Sequence, residues 1–140
     1  MRPEDVVDEL IDALVRCTFH VTGVLTRLGA ENDLSLTQLR VLGILRDRRP
    51  RVTELAAYLG LDKSTMSGLI DRAERRGLLA RGRNPRDGRV IEVFLTPAGA
   101  ELTRRLYTEV RDTLAPDLER LAPEQRTRLL ELLGPLLGPT

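Results

Sequence analysis

The apolar residues near the start of the chain recur at the spacing of an amphipathic helix. Between Val6 and Leu28 they lie three or four positions apart, which places them on one stripe of a long helix. The stripe consists of Val6, Leu10, Leu14, Cys17, Val21, Val24 and Leu28. A second helix is predicted after Ser35, because Ser35 and Gln38 have the spacing of a capping box. It carries Leu39, Leu42 and Leu45 and ends in the charged turn RDRRPR.

Cap and stop residues predict a short third helix and a longer fourth one. Thr53 is the predicted N-cap of the third helix, and Gly60 ends it. Asp62 is the predicted cap of the fourth helix, which lies in the stretch DKSTMSGLIDRAERRG. Its inward face has apolar residues at i, i+3, i+4 and i+7, namely Met66, Leu69, Ile70 and Ala73.

The sequence after Gly77 predicts a β-hairpin and then two more helices. GLLARGRNPRDGRVIEVFLT contains two strand-like runs around a turn of proline, aspartate and glycine. The next helix is predicted to kink or end at Pro116. The last segment, RTRLLELLGPLLG, has more leucines than a terminal helix of a small monomer should expose, which favours a dimer.

Two helices joined by a tight turn and followed by an arginine-tipped hairpin predict a winged helix-turn-helix. The predicted fold class is therefore mainly α with a small β-hairpin wing, plus N- and C-terminal dimerisation helices. Residues 35–96 form the predicted DNA-binding region, and residues 1–34 with 97–140 form the helical dimerisation region. We expect the two regions to be parts of one intertwined domain.

The outward face of the fourth helix is slim and polar enough to enter a major groove about 12 Å wide. Its candidate DNA-binding residues are Lys63, Ser64, Thr65, Ser67, Gly68, Arg72 and Arg75. The wing suits a narrow, electronegative minor groove, and its arginines are Arg81, Arg83, Arg86 and Arg89, of which the last three are the candidate contacts. The alternative interpretation is a solvent-exposed helix in which Asp71 and Arg75 form a weak i, i+4 pair.

Charge is distributed unevenly along the chain, although the formal net charge is only +1. Residues 46–89 carry twelve Lys and Arg against six Asp and Glu, while the segments before and after them are net acidic. Basic charge concentrated in the middle of a chain indicates a polyanion-facing module between neutral or acidic flanks.

The order of these elements resembles the MarR family of bacterial transcriptional regulators. The resemblance covers nearly the whole chain and rests on LTQLRVLGIL, VTELAAYLGLDKSTMSGLIDRAERRGLLAR and NPRDGRVIEVFLTPAGAEL. Asp87 and Arg89 match the family's wing pattern of Asp, any residue, Arg, which makes Asp87 a structural residue of the wing. The resemblance implies a homodimer whose terminal helices interlock and whose two winged helices bind a pseudo-palindromic operator in double-stranded DNA. It also implies that Arg89 reaches the minor groove and that a small-molecule effector binds between the dimer helices and the DNA-binding lobe.

A single histidine, a single cysteine and the lack of a phosphate-binding glycine motif argue against an enzyme. We expect no catalytic residue, no bound metal and no cofactor. Cys17 and His20 share a face of the first helix, and a thiol beside an imidazole is a candidate oxidant sensor or, across a dimer axis, half of a zinc site. The more ordinary interpretation is a cysteine buried as a small apolar residue.

The N-terminal stretch MRPEDVVDELID is acidic, unlike a signal peptide, and no run approaches the roughly 18 apolar residues of a membrane span. We therefore expect a cytoplasmic protein without a membrane partner. The predicted function is sequence-specific transcriptional regulation, as a repressor relieved by a small molecule. The alternatives are a redox- or metal-responsive repressor that uses Cys17 and His20, and a winged-helix protein-interaction module that does not bind DNA.

Overall fold

The computed structural model describes residues 2–138 and contains six helices and one two-stranded sheet within that range. The elements in chain order are α1 (Pro3–Glu31), α2 (Leu36–Leu45), α3 (Val52–Leu59), α4 (Lys63–Arg75), β1 (Leu79–Arg83), β2 (Ile91–Leu95), α5 (Pro97–Leu118) and α6 (Pro123–Leu137). The predicted fold class, mainly α with a hairpin wing, is confirmed. Met1, Pro139 and Thr140 of the predicted dimerisation region lie outside the described residues.

Most of the predicted helix starts agree with the structure. The Gln38 backbone N–H donates to Ser35 Oγ at 3.1 Å, and the Ser35 backbone N–H donates to Gln38 Oε1 at 2.7 Å, which completes the capping box of α2. Asp62 caps α4 as predicted, and Gly60 ends α3 with a left-handed φ of 68°.

The predicted cap of α3 was wrong, because that helix begins at Val52 and its N-cap is Arg51 rather than Thr53. Arg51 is held extended by a bridge to Glu92 of β2, and the Val93 N–H donates to the Pro50 carbonyl at 2.8 Å. The chain therefore turns into the helix directly after this short extended segment. The Arg51 N–H finds its acceptor in the side chain of Glu54, at 3.1 Å.

The prediction for Pro116 was also wrong in part, since α5 continues past it and ends at Leu118. Pro116 lacks the backbone N–H of one helical hydrogen bond, and only two helical residues follow it.

The hydrophobic core lies where α2, α3 and α4 pack against the hairpin and α5. Its most completely buried side chains are those of Leu55, Met66, Ile70 and Val93. β1 and β2 pair antiparallel, with Arg81 opposite Val93. Val93 is 0% exposed and belongs to this core, so it points inward from the hairpin. The core thereby holds α4 against the base of the wing.

The two terminal helices contribute much less to this core. In α1 only Val24, Leu28 and Gly29 are buried, and α6 buries no residue at all. Across residues 2–138, no helix has the length and apolar character needed to cross a lipid bilayer.

Candidate nucleic-acid interface

Helix α4 presents its polar face to solvent because its apolar face is anchored in the core. Met66 and Ile70 are both 0% exposed, which fixes the rotation of the helix about its axis. On the opposite side the side chains of the candidate DNA-binding residues are accessible: Lys63, Ser64, Thr65, Arg72 and Arg75 are exposed, while Ser67 and Gly68 are half-buried. We call this surface the recognition face.

The first turn of α4 is stabilised by Asp62. The Thr65 backbone N–H donates to Asp62 Oδ1 and the Thr65 hydroxyl donates to Oδ2, both at 2.8 Å. These two hydrogen bonds from Thr65 lower the pKa of Asp62, because they stabilise its ionised form. The contribution of this cap to stability is therefore present above the ordinary aspartate pKa and is lost only when the pH falls through the lowered value. The Thr65 hydroxyl proton points at Asp62, which leaves Ser64 and Ser67 as the hydroxyl donors of the recognition face.

The wing tip is a turn that is ordered by its own side chains. Asn84 Oδ1 accepts the backbone N–H groups of Arg86 and Asp87, at 2.7 and 3.1 Å. Asp87 Oδ1 in turn accepts the backbone N–H of Arg89 at 3.1 Å and its Nε at 3.3 Å. The Arg89 side chain is 93% exposed, so Asp87 orients a guanidinium that projects into solvent.

Arg81 joins the wing to the recognition helix. Its guanidinium lies 2.9 Å from Asp71 Oδ1 and also pairs with Glu74, both on α4. The Asp71–Arg75 pair of the alternative interpretation is not formed, because Asp71 pairs with Arg81 and Arg75 Nε points to the Asp71 carbonyl oxygen at 3.4 Å.

The positioning role of Arg81 was not among the predicted sites, yet a signal for it exists in the sequence. Alternation along β1 puts Arg81 on the same side as the buried Leu79, and a charged residue on a buried side requires an acidic partner.

The segment between α2 and α3 fastens the other edge of the wing. Glu92 of β2 pairs with Arg49 at 3.5 Å and accepts a hydrogen bond from Asn84 Nδ2 at 3.0 Å. The Arg49 guanidinium also lies 4.1 Å from the centroid of the Phe94 ring, a cation–π contact. The wing is thus attached to the body of the protein on both of its edges.

His20 has a partner on another helix, and Cys17 is exposed. Cys17 is a free, exposed cysteine, so it is not buried as an apolar residue within this chain. His20 Nε2 lies 2.9 Å from Asp117 Oδ2, which links α1 to α5. Within residues 2–138 there is no group of three His, Cys, Asp or Glu side chains arranged to hold a metal ion.

Comparison with known proteins agrees with this architecture. A model of the MarR family matches residues 32–90, which span α2, α3, α4 and the hairpin as far as Val90. The chain is 32% identical over 103 residues to YfiV of Bacillus subtilis, an uncharacterized HTH-type transcriptional regulator. Over these residues the chain is similar to the MarR family of transcriptional regulators.

The alignment with YfiV covers 73% of this chain but 64% of YfiV, so the chain spans just under two thirds of the length of that relative. The structure of a MarR family protein from Bacillus stearothermophilus matches with a TM-score of 0.83 at 25% identity, covering 95% of this chain and 94% of that one. The structure of CouR from Rhodococcus jostii RHA1, bound to p-coumaroyl-CoA, matches with a TM-score of 0.80 at 24% identity, covering 96% and 95%. The likeness to CouR shows the shared MarR fold.

Proposed function

We propose that this protein is a member of the MarR family and a sequence-specific DNA-binding transcriptional regulator that acts as a homodimeric repressor. The observation that carries the proposal is the pairing of a solvent-facing polar α4 with an arginine-bearing wing, joined to it through Arg81. In a winged helix-turn-helix, such a helix enters the major groove while the wing reaches the neighbouring minor groove. A dimer bound across a promoter excludes other proteins from that DNA. Since its ligand would be chromosomal DNA, we place the protein in the cytoplasm.

The dimer is proposed from apolar surface that the chain does not cover by itself. In the part of α1 between Val6 and Phe19, seven large apolar side chains are exposed: Val6, Val7, Leu10, Ile11, Leu14, Val15 and Phe19. In α6, Leu130, Leu136 and Leu137 are each more than two thirds exposed. An apolar surface of this extent on two long helices requires a partner, and a second copy of the chain supplies a self-complementary one.

An effector site is proposed between the terminal helices and the DNA-binding lobe. A cavity of about 170 Å³ lies where α1, α2 and α5 meet. Its wall is mostly aliphatic, with Leu25, Leu39, Leu42, Leu106 and Val110. At the same cavity Arg46 stacks on Tyr107, with the guanidinium carbon 4.3 Å from the ring centroid. An apolar body with a carboxylate directed at Arg46 fits this lining. CouR, whose structure holds p-coumaroyl-CoA, is a protein of this fold that binds a small molecule.

The proposed function is tested by selecting DNA from a random duplex pool and measuring binding of the selected sequence by fluorescence anisotropy. A scrambled duplex serves as the control, and each titration is run at two salt concentrations. We expect preference for the selected duplex, together with a logarithmic salt slope of about −0.9 per phosphate contact. Binding to neither duplex at low salt would favour the protein-interaction module over the regulator.

The wing prediction concerns Arg89. We expect Arg89→Gln to weaken binding to an operator with A/T-rich flanks by about tenfold and to change binding to a G/C-flanked operator much less, since narrow A/T minor grooves attract arginine. Arg128→Gln, on α6, is the matched control, because Arg128 is also an exposed arginine paired with a nearby carboxylate. An equal loss on both operators, with a flatter salt slope, would show a phosphate contact instead.

The effector prediction uses Gly43, which lines the cavity on α2. A Cβ at Gly43 meets no atom within 4 Å, so Gly43→Leu is expected to fill the cavity without disturbing the helix. Medium-chain and aromatic carboxylic acids, screened by the rise in Tm, should stabilise the unsubstituted protein but not this variant. Gly43→Ala, with a smaller side chain, is expected to keep part of the response. An undiminished response in Gly43→Leu would place the effector elsewhere.

A further inference from the structure

The end of α1 and the turn that follows it, residues 29–34, are held together by short-range hydrogen bonds and close packing. The Leu34 backbone N–H donates to the Gly29 carbonyl at 2.8 Å, and a Cβ at Gly29 would lie 2.5 Å from the Leu34 carbonyl oxygen. Asn32 Nδ2 donates to the Leu28 carbonyl at 2.8 Å, and Asp33 takes a left-handed φ of 55°. We call these six residues the α1–α2 corner.

Arg76 attaches the end of the recognition helix to this corner. It follows α4 directly, and its Nη1 donates to the Asp33 carbonyl at 2.8 Å while Nη2 donates to the Asn32 carbonyl at 3.0 Å. A guanidinium that binds two successive carbonyls is held in both position and angle. These carbonyls follow the C-terminus of α1, where the helix dipole is negative and favours a cation.

We infer that Arg76 is a positioning residue for DNA recognition, which sets the placement of α4 relative to α1. The inference rests on the proposed function, because α1 carries the apolar surface assigned to the dimer. If α1 is fixed against its partner, the Arg76 tie transmits the geometry of that interface to α4. The distance between the two recognition helices must be about one duplex turn, roughly 34 Å, to meet successive major grooves. Arg76 thereby selects the half-site spacing of the operator.

Arg75 is adjacent to Arg76 in the sequence, but its side chain lies on the recognition face and not at the α1–α2 corner. Its side chain is exposed on the recognition face, and its Nε points back only to the Asp71 carbonyl of its own helix, at 3.4 Å. Loss of Arg75 is expected to remove a phosphate contact, which weakens binding to every duplex equally and flattens the salt slope. Loss of Arg76 is expected to leave the salt slope unchanged, because its guanidinium binds main-chain carbonyls of the protein.

The experiment compares Arg76→Gln, Arg76→Lys and Arg75→Gln on the selected operator and on versions with one base pair added to or removed from the spacer. We expect Arg76→Gln to bind the selected operator about tenfold more weakly, which is the effect of losing a hydrogen-bonded charge. Its affinity for the duplexes with altered spacers should change much less. Its discrimination between spacers should fall while its salt slope equals that of the unsubstituted protein. Arg76→Lys keeps the charge but has a single donor nitrogen instead of two, so it should restore part of the discrimination.

Circular dichroism melts of each variant identify any loss of folding, in which case Arg76→Lys carries the test alone. Unchanged spacer discrimination in a folded Arg76 variant would overturn the inference, as would a loss that follows the pattern of Arg75→Gln. Failure of the unsubstituted protein to bind any selected DNA would instead refute the proposed function itself. The two failures are therefore distinguishable in one set of titrations.

Discussion

Replacing both Leu10 and Leu14 by glutamate is expected to convert the protein from a dimer to a monomer and to reduce operator affinity by about 100-fold or more. Leu10 is 56% exposed and Leu14 is 46% exposed within the chain, so the variant should fold normally as a monomer. At a dimer interface, however, the substitution places four carboxylates on apolar surface, and each buried leucine contributes roughly 1.5–3 kcal/mol to association. The affinity falls because a dimer binds its second half-site at a high effective concentration, which a monomer lacks.

Light scattering coupled to size-exclusion chromatography measures the mass, and anisotropy on the operator measures the affinity. Arg16→Glu is the matched control, since it changes the net charge by the same amount on the polar side of α1. The control should remain a dimer and lose little affinity. A double leucine variant that stays dimeric would show that α1 does not form the interface and would leave α6 as the remaining candidate.

Replacing Gly99 by alanine is expected to destabilise the protein by about 3 kcal/mol, the upper part of the range for overpacking. A Cβ at this position would overlap the Leu78 carbonyl, which is backbone and cannot rotate away. The neighbourhood is also held from several sides: the Thr96 N–H donates to the Leu78 carbonyl at 3.0 Å, and the Gly99 N–H donates to Thr96 Oγ1 at 3.0 Å. The first turn of α5 therefore has to separate from the entrance to β1.

Gly43→Ala is the control, and its expected effect on the free energy of unfolding is opposite in sign. Gly43 also lies in a helix, but a Cβ there would meet no atom within 4 Å. Alanine there should stabilise the protein by about 0.5–1 kcal/mol, through the higher helix propensity and the smaller entropy of the unfolded chain. Urea or thermal unfolding at one fixed protein concentration measures both variants, since the stability of a dimer depends on concentration. A Gly99→Ala variant as stable as Gly43→Ala would contradict the close packing of α5 on Leu78.

Much of the fold follows from local patterns. The capping box of Ser35 and Gln38, the cap at Asp62 and the left-handed stop at Gly60 depend on residues within one helical turn, and all three were predicted correctly. The cap of α3 was not predicted, because Arg51 is held extended by Glu92, which is distant in sequence. Local propensity favours Thr53 at that cap, and the tertiary bridge overrides it.

The candidate site, like the fold, could be predicted only in part from the sequence. The recognition face could be predicted from helical periodicity, because Met66 and Ile70 need only be on the inside for Ser64 and Arg75 to be outside. The contacts that orient this face could not be predicted from the sequence. Several acidic residues are possible partners for Arg81, and Arg76 binds main-chain carbonyls. Any residue supplies a carbonyl, so no sequence pattern marks the acceptor of such a bond.

The helical stripes, the hairpin, the arginines at its tip and the recognition face could be predicted because each depends on spacing within one element, whereas the start of α3 could not. Which charges pair within the protein and which project into solvent depends on packing between elements that are distant in sequence. Arg76 and Arg81 are engaged with the body of the molecule, whereas the Arg89 side chain is 93% exposed. These arginines are chemically identical, and their surroundings differ only because packing brings distant carbonyls and carboxylates within hydrogen-bonding distance of some of them.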